Sequence, residues 1–345
     1  MKLVAAATLA GKLGLRMAKP ADLTISRARE GEGWIYKTSR GRVIADARVI
    51  TRLSTLAVPP AYSDVLYASD PKAHLQATGR DAAGRLQYRY HPDWEKIREI
   101  RKAQRLIGLV EVLPRIRRAL AARLNTESLD RKFALAAVIE LISASAIRPG
   151  NEEYARTHRT RGATTLLKSN VRCASDDTLV LSFRAKGGKQ VRKEIRHARL
   201  CAAINSLRSL PGLRMFQYRA DDETIRQVSA ADANEFLREI AGCPISLKDF
   251  RTLCGTAEAM EALAAIEPAT SARARKKQIV DAMRCAAEKL ENTPAICRKS
   301  YVHPAVLTAF ESGSLREFAQ QIKRARSEST VQAAVGVLLE TARAA

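Results

Sequence analysis

Hydrophobic residues follow two different periods along this chain, and the period changes close to residue 91. Residues 34–90 contain short apolar runs between turn residues, a pattern typical of β-strands. Strands are predicted at Val43-Ile44, Val49-Ile50 and Val65-Leu66-Tyr67, followed by a hairpin over residues 75–90. This part of the chain therefore predicts a small β-rich domain.

Beyond residue 92 the apolar residues recur mostly every three or four positions, which predicts helices. The strongest pattern covers residues 128–146, and Pro149-Gly150 is expected to stop that helix. Three strands interrupt the helices and are predicted at residues 164–167, 178–183 and 190–195. The other helices are predicted at residues 94–108, 109–124, 198–209, 230–241, 246–264, 271–290, 304–312 and 328–343.

These patterns predict an α+β protein, and its length of 345 residues suits two domains. Residues 1–30 are rich in Ala and Arg and are expected to be poorly ordered. Residues 31–92 are expected to form the β-rich domain. Residues 93–345 are expected to form a mainly helical domain that contains a three-stranded antiparallel sheet.

The charge of the chain points to a polyanionic partner. Lys and Arg number 59 against 36 Asp and Glu, which gives a net charge of +23. Nucleic acid is favoured over an anionic membrane surface, and no apolar run is long enough to span a bilayer. Residues 148–199 hold 13 Lys and Arg against 5 Asp and Glu. This segment predicts a phosphate-contacting surface, with ordinary solubilising charge as the alternative.

No motif in the sequence points to a cofactor. The six cysteines lack the spacing of metal ligands, so we expect reduced thiols in a cytoplasmic protein. Gly187-Gly188-Lys189 lacks the spacing of a nucleotide-binding loop, and the basic segment has no acidic pair at metal-binding spacing. We therefore expect no ATP and no divalent-metal requirement, so that Arg and Lys would handle phosphate directly.

Two motifs place cations next to predicted turns. Arg148 lies between the end of the helix with the strongest apolar pattern and the turn at Pro149-Gly150. It is therefore expected to be held at the end of a rigid element. A contact with the helix dipole alone is the alternative for Arg148. Lys186 and Lys189 lie at a predicted hairpin tip, where a plain exposed turn would show the same residues.

Two further motifs lie in the C-terminal half. Ser246 and Asp249 form a capping box that starts a helix. Lys248 and Arg251 share one face of its first turns, near the positive end of the helix dipole, which suggests a bound anion. Ordinary surface charge is the alternative. Tyr301 follows two basic residues and is either a half-buried core tyrosine or an activated phenol nucleophile.

The order of these motifs resembles that of the type IB DNA topoisomerases, in particular their compact poxvirus and bacterial branch. The resemblance runs from Trp34 to Leu315. It is supported by segments similar to the N-terminal DNA-clamping domain of that branch. These segments are Ile50-Thr51-Arg52-Leu53, Val58-Pro59-Pro60-Ala61-Tyr62, Gly79-Arg80-Asp81 and Gly84-Arg85-Leu86-Gln87-Tyr88-Arg89-Tyr90.

The resemblance implies an ATP-independent enzyme that relaxes supercoiled duplex DNA of both signs through a 3′-phosphotyrosyl intermediate. Tyr301 would be the nucleophile, and Arg148 and Arg251 would hold the non-bridging phosphate oxygens. Lys186 would protonate the departing 5′-oxygen, with Lys189 as the alternative. The implied protein is a nucleoid-associated monomer that clamps around double-stranded DNA and has no membrane partner.

The resemblance also implies weaker contacts. Asn292 occupies a position that is His in many relatives and would give the phosphate a neutral hydrogen bond. The other implied DNA contacts are Tyr154 and Lys248 near the scissile phosphate, and Gln87, Tyr88 and Tyr90 from the clamp domain.

Two other functions remain open at this stage. A tyrosine recombinase or integrase resembles the same catalytic fold, but those enzymes usually carry His-x-x-Arg where this chain has Lys248-x-x-Arg251. A recombinase would also assemble as a tetramer. A non-enzymatic basic DNA-binding protein would explain the net charge, but it has no need for Tyr301 or for the ordered set of cations.

Overall fold

The computed structural model describes residues 4–324 and 328–344. The chain divides into two compact units, with the division between Lys102 and Ala103. The N-terminal unit is built on a β-sheet, and the C-terminal unit is mainly helical. The predicted α+β class is therefore confirmed.

The N-terminal unit contains a five-stranded antiparallel sheet in the order β2-β1-β3-β4-β5. Strands β4 and β5 form the hairpin that the sequence predicts. One face of the sheet packs on a small core around Tyr36, Leu53 and Tyr67. The elements are α1 (Ala6–Lys12), β1 (Ile25–Glu30), β2 (Gly33–Lys37), α2 (Ala47–Thr55), β3 (Ser63–Tyr67), β4 (Leu75–Arg80) and β5 (Leu86–Tyr90).

The start of the chain differs from the prediction of poor order. Strand β1 lies inside the sheet between β2 and β3, and its Ile25 is buried. Arg27 fixes this strand, because its guanidinium donates to the carbonyls of Val58 at 2.9 Å and Pro59 at 2.6 Å. This strand carries two Arg and one Glu among its six residues, so its composition resembles that of an exposed segment and gives little sign of a strand inside a sheet.

The strand predicted at Val49-Ile50 is wrong, because these residues lie in α2. Asp46 begins this helix by accepting hydrogen bonds from the backbone N–H groups of Arg48 at 2.8 Å and Val49 at 3.4 Å. Val49, Ile50 and Leu53 then pack on the sheet from one side of the helix. A short apolar pair is compatible with either structure, and here the cap decides it.

The C-terminal unit contains the predicted three-stranded antiparallel sheet, in the order β6-β7-β8. Its first strand is displaced from the prediction, since residues 163–165 form a 3₁₀ turn instead. The elements that begin from residue 92 onward are α3 (Pro92–Leu124), α4 (Arg131–Ser145), α5 (Glu152–Thr157), β6 (Val171–Cys173), β7 (Thr178–Arg184), β8 (Gln190–Arg196), α6 (Ala198–Arg208), β9 (Gln217–Arg219), β10 (Ile225–Gln227), α7 (Ala230–Ala241), α8 (Leu247–Ala264), α9 (Ala272–Leu290), α10 (Pro294–Ser300), α11 (Pro304–Glu311), α12 (Arg316–Lys323) and α13 (Glu328–Ala344).

The helices surround a central buried helix. Helix α4 is buried over most of its length and packs against α6, α7 and α8, and α8 lies along α9. The two helices predicted at residues 94–124 form one continuous helix, α3, although Pro114 lies inside it. Helices α5, α10 and α12 and the β9-β10 hairpin were not predicted. Within the described part of the chain, no helix has the length and apolar character needed to cross a bilayer.

We predict that Asp46→Ala lowers the free energy of unfolding of the N-terminal unit by about 0.5–2 kcal/mol, because α2 loses its cap. Urea denaturation of the full chain, followed by tryptophan fluorescence, measures this effect. The two tryptophans, Trp34 and Trp94, both lie in that unit, so the signal reports on it. Asp46→Asn keeps an acceptor and is the control. An unchanged midpoint for Asp46→Ala would show that the cap does not stabilise the unit.

Candidate active site

A cavity of about 340 Å³ in the C-terminal unit brings together most of the predicted site residues. Its lining includes cations from four separate parts of the chain and two aromatic side chains. No Asp or Glu lines it in the part of the chain that the structure describes. The predicted residues that line it are Arg148, Tyr154, Lys186, Lys248, Arg251 and Tyr301.

Tyr301 ends helix α10 and is held against helix α8. The Thr256 hydroxyl donates to the Tyr301 carbonyl at 3.1 Å. A Cβ atom at Gly255 would lie 3.3 Å from Tyr301 Cβ and 2.8 Å from Leu290 Cδ1, so any other residue would require Tyr301 or Leu290 to shift. Sequence reasoning missed Gly255 and Thr256, although a glycine inside a helical pattern is a known sign of close packing.

Arg251 is buried at the floor of the cavity, with only 2% of its surface exposed. The predicted capping box places it, since the Ser246 N–H donates to Asp249 Oδ2 at 2.8 Å and α8 begins there. One terminal nitrogen of Arg251 donates to the Ala146 carbonyl, and the other donates to the Leu290 carbonyl at 3.0 Å. The alternative that Arg251 is a surface charge is therefore wrong.

The two carbonyls that hold Arg251 belong to the C-terminal ends of α4 and α9, where the helix dipoles are negative. A second cation, Lys193 on β8, bridges the same two ends one residue earlier. Its ammonium group donates to the Ser145 carbonyl at 2.9 Å and to the Lys289 carbonyl. Burial lowers the pKa of Lys193. Sequence reasoning missed Lys193, because its role depends on two helix ends distant in sequence.

Arg148 and Asn292 are joined directly. The chain leaves α4 through Ala146, whose φ of 53° is left-handed, and Arg148 follows. The Arg148 guanidinium donates to Asn292 Oδ1. Because arginine only donates, the amide oxygen of Asn292 must face Arg148. Its nitrogen, Nδ2, is buried and has no hydrogen-bond partner among the described residues.

The β7-β8 hairpin places Lys186 and Lys189 in different surroundings. Lys189 forms an ion pair with Glu291, with 2.8 Å between Nζ and Oε2. Lys186 lines the cavity, and its Nζ lies 6.0 Å from the centre of the Tyr154 ring. Lys186 therefore shares the cavity with the Tyr301 phenol, whereas the charge of Lys189 is compensated beside it.

The environment of Tyr301 makes its phenol more acidic than usual. Burial raises the pKa of Tyr301, but the positive charges of Arg251, Arg148 and Lys248 outweigh burial and leave that pKa below its ordinary value. The guanidinium carbon of Arg251 lies 4.9 Å from the centre of the phenol ring, and Lys248 Nζ lies 5.9 Å from it. The cations therefore stabilise the phenolate form of Tyr301, which is the more nucleophilic form of the side chain.

The three predicted clamp residues lie on β5 of the N-terminal unit. Tyr88 and Tyr90 are 45% and 39% exposed, and their rings stack with centroids 6.1 Å apart. Tyr90 also stacks on Trp94 at 6.1 Å. The Gln87 amide donates to Asp81 Oδ2 at 2.9 Å, and Gln87 and Tyr88 line a cavity of about 160 Å³. The strand thus presents an exposed aromatic surface in its own unit.

A larger open cavity of about 930 Å³ lies between the ends of α8 and α12, but it holds none of the predicted residues. Its lining mixes Glu261 and Glu267 with Arg316, so opposite charges offset each other there. No cluster of three or more His, Cys, Asp or Glu side chains suited to a metal ion occurs in residues 4–324 or 328–344. The smaller, purely cationic cavity is therefore the candidate active site.

Comparison with known proteins gives the family of the chain. Residues 88–329 match the family model of the eukaryotic DNA topoisomerase I catalytic core. The chain belongs to the type IB DNA topoisomerase family. Residues 33–81 match a second family model, the bacterial DNA topoisomerase IB N-terminal domain. The chain is also 29% identical over 295 residues to DNA topoisomerase 1B of Acanthamoeba polyphaga mimivirus, covering 84% of this chain and 88% of that relative.

Family membership makes this chain an isomerase and decides between the three classes that the sequence left open. The match to the topoisomerase catalytic core covers every residue that lines the cationic cavity. The match to the N-terminal domain ends before β5, and the catalytic-core match begins at Tyr88 within that strand. The cation motifs and the clamp-like segments thus lie in topoisomerase IB regions or beside them.

We predict that the Tyr301 phenol ionises below the usual tyrosine pKa of about 10, because three cations stabilise its anion. The ultraviolet titration of the wild type minus that of Tyr301→Phe isolates this one phenol. The same difference for Tyr36→Phe is the control, since burial raises the pKa of Tyr36. A Tyr301 transition at or above that of Tyr36 would contradict the electrostatic description of the cavity.

Proposed function

We propose that this chain relaxes positive and negative supercoils in double-stranded DNA by cutting and resealing one strand, without ATP. The observation that carries the proposal is the cavity in which the Tyr301 phenol lies among Arg148, Arg251, Lys186 and Lys248. A phenol alone is a weak nucleophile, and a cation cluster alone only binds anions. Together they supply a nucleophile and a site for the charge of a phosphodiester.

The cleavage step exchanges one phosphate ester for another. The Tyr301 oxygen attacks the scissile phosphorus and loses its proton to solvent water, while the bond from phosphorus to the 5′-oxygen breaks and that oxygen takes a proton. The products are a 3′-phosphotyrosyl bond and a free 5′-hydroxyl. Because one ester bond replaces another, the reverse reaction can reseal the strand after rotation. No ATP is then needed.

Arg148 and Arg251 bind the non-bridging oxygens of the scissile phosphate, where negative charge grows in the transition state. Their own partners are neutral, namely the Asn292 amide and two backbone carbonyls, so their charges are free to act on phosphate. The unpartnered Nδ2 of Asn292 donates a further hydrogen bond to the same phosphate. In this arrangement fixed cations supply the charge that a divalent metal supplies in other phosphoryl-transfer sites.

Lys186 protonates the departing 5′-oxygen. It lines the cavity with Tyr301, whereas Lys189 is occupied by Glu291. This difference favours Lys186 over Lys189 as the general acid. A proton delivered as the bond breaks avoids a free alkoxide, which is a poor leaving group.

The other contacts position the duplex. Tyr154 and Lys248 line the cavity and touch the backbone beside the scissile phosphate. Gln87, Tyr88 and Tyr90 contact the duplex from the N-terminal unit, which serves as the clamp. The chain acts as a monomer on nucleoid DNA, with the N-terminal unit as the clamp domain and the C-terminal unit as the catalytic domain.

We predict that the wild type relaxes plasmids of either supercoil sign in EDTA and without ATP. Tyr301→Phe keeps its DNA affinity but loses relaxation and the covalent adduct, because only the phenol oxygen is removed. Agarose gels and detergent trapping on labelled duplex measure both activities. Loss of wild-type relaxation in EDTA would rule out the metal-free mechanism. An adduct on Tyr301→Phe would require another nucleophile.

We predict that Lys186→Ala slows single-turnover cleavage by about 10²–10⁴-fold on ordinary DNA. The variant cleaves a substrate with a 5′-bridging sulfur at close to the wild-type rate, since a thiolate leaves without a proton. Lys189→Ala is the comparison variant and shows no such rescue pattern. Equal slowing of Lys186→Ala on both substrates would assign Lys186 to phosphate binding instead.

We predict that Asn292→Ala slows cleavage by about 10²–10³-fold, the usual effect of losing one neutral donor. Arg148→Ala and Arg251→Ala slow it more, because each loses a full charge. Asn292→His stays active and gains a rate change near a pH of about 6.5, where histidine titrates. Single-turnover cleavage across pH measures all four variants. An Asn292→Ala variant as inactive as the arginine variants, or as fast as the wild type, would refute this role.

A further inference from the structure

A fifth cation, Arg161, lines the same cavity and has no role in the proposed cleavage mechanism. It lies just outside the short motifs that carry the family resemblance. Arg161 also differs from the nearby Arg214, which forms an ion pair with Glu152, because Arg161 has no ion pair among the described residues. Any role for Arg161 rests on the proposed function, because it concerns the DNA that the cavity would hold.

The backbone at Arg161 is fixed on both sides. Its N–H donates to the Arg184 carbonyl at 2.7 Å, at the end of strand β7 and next to the hairpin that carries Lys186. The following residue is packed against the Arg148 loop, since a Cβ atom at Gly162 would lie 2.6 Å from the Arg148 carbonyl oxygen. Arg161 is therefore held between two elements that supply proposed catalytic groups.

The charge of Arg161 is only partly offset, by Glu152 at a distance. No carboxylate lies within ion-pair distance of it among the residues described, and its side chain makes one long hydrogen bond, 3.4 Å, to the Thr165 carbonyl. The nearby Glu152 is bound by Arg214 at 2.6 Å instead. Burial and the charge of Arg214 lower the pKa of Arg161, and the opposite effect of Glu152 is too small to restore its ordinary value.

A partly buried cation beside Arg148 and Lys186, with no ion-pair partner among the described residues, is unfavourable until an anion arrives. The scissile phosphate already has Arg148, Arg251 and Asn292. Arg161 is attached to the base of the Lys186 hairpin, the side on which the 5′-oxygen departs. We propose that Arg161 binds the phosphate next to the scissile one, in the cleaved strand, on the side of the 5′-hydroxyl product.

This contact would hold the end of the strand that must return for resealing. A phosphate held by a guanidinium fork is aligned as well as attracted, because two parallel hydrogen bonds fix its orientation. Arg161 would thus keep the 5′-hydroxyl near the phosphotyrosyl bond. Its loss weakens DNA binding without removing any group that takes part in bond exchange.

Methylphosphonate substitution tests the proposal, since it removes the charge of one chosen phosphate. Duplexes that each carry one methylphosphonate flanking the scissile position are bound to the Tyr301→Phe protein, so that only affinity is measured. We expect the substitution on the 5′-hydroxyl side to weaken binding by about 10-fold or more, as for loss of a charge-assisted hydrogen bond. When Arg161→Ala is added, binding to unmodified DNA falls similarly, and the same methylphosphonate has no further effect.

Arg156→Ala is the matched control, because Arg156 is exposed on the nearby helix α5 and should leave the methylphosphonate effect intact. Arg161→Gln, checked by thermal melting, replaces the alanine variant if that one unfolds. Unchanged methylphosphonate sensitivity in the Arg161 variants, or its loss at a different phosphate, overturns the proposal. Covalent trapping of the protein with Tyr301 intact is scored separately. Failure there would refute the proposed function while leaving the binding result on Arg161 readable.

Discussion

The site depends on how a buried guanidinium is held without being neutralised. Placing a charge inside a protein is unfavourable by several kcal/mol unless polar groups surround it. For Arg251 those groups are the carbonyls of Ala146 and Leu290, where helices α4 and α9 end. Carbonyl dipoles satisfy the N–H groups and leave the net positive charge in place. A carboxylate would have satisfied the same groups and cancelled the charge.

The same distinction separates the other cations. Arg148 is held by the neutral amide of Asn292, and it remains available to phosphate. Lys189 and Arg214 are held by carboxylates, and neither lines the cavity with Tyr301. Lys193 holds the same two helix ends through the preceding carbonyls, those of Ser145 and Lys289, so it fixes the ends that position the arginine. Arg148 and Arg251 thus reach the cavity with their charges uncancelled.

Much of this site could be predicted from sequence, because short-range signals place its parts. The capping box at Ser246 predicts where α8 begins, and hence that Lys248 and Arg251 share its first turns. The strong apolar period of α4 likewise predicts that Arg148 follows a rigid helix. Family resemblance then supplied the roles that spacing alone left open.

The parts that were missed depend on contacts distant in sequence. Nothing local to Lys193 or Arg161 indicates that one bridges two helix ends and the other faces the cavity. The strand predicted in place of α2 has a different cause, since a short apolar pair fits both structures and only the Asp46 cap separates them. The burial of Arg251 could not be predicted either, because nothing in the sequence of the first turns of α8 shows that this guanidinium is enclosed.

The most direct measurement is to identify the residue that carries DNA in the trapped complex. Detergent-trapped protein on duplex labelled at either end is digested with trypsin and analysed by mass spectrometry. We expect the label of the 3′-linked strand on the peptide of residues 300–316, with the mass increase on Tyr301. An adduct on any other residue, or linkage through a 5′-phosphate, would contradict a site built around Tyr301 and Arg251.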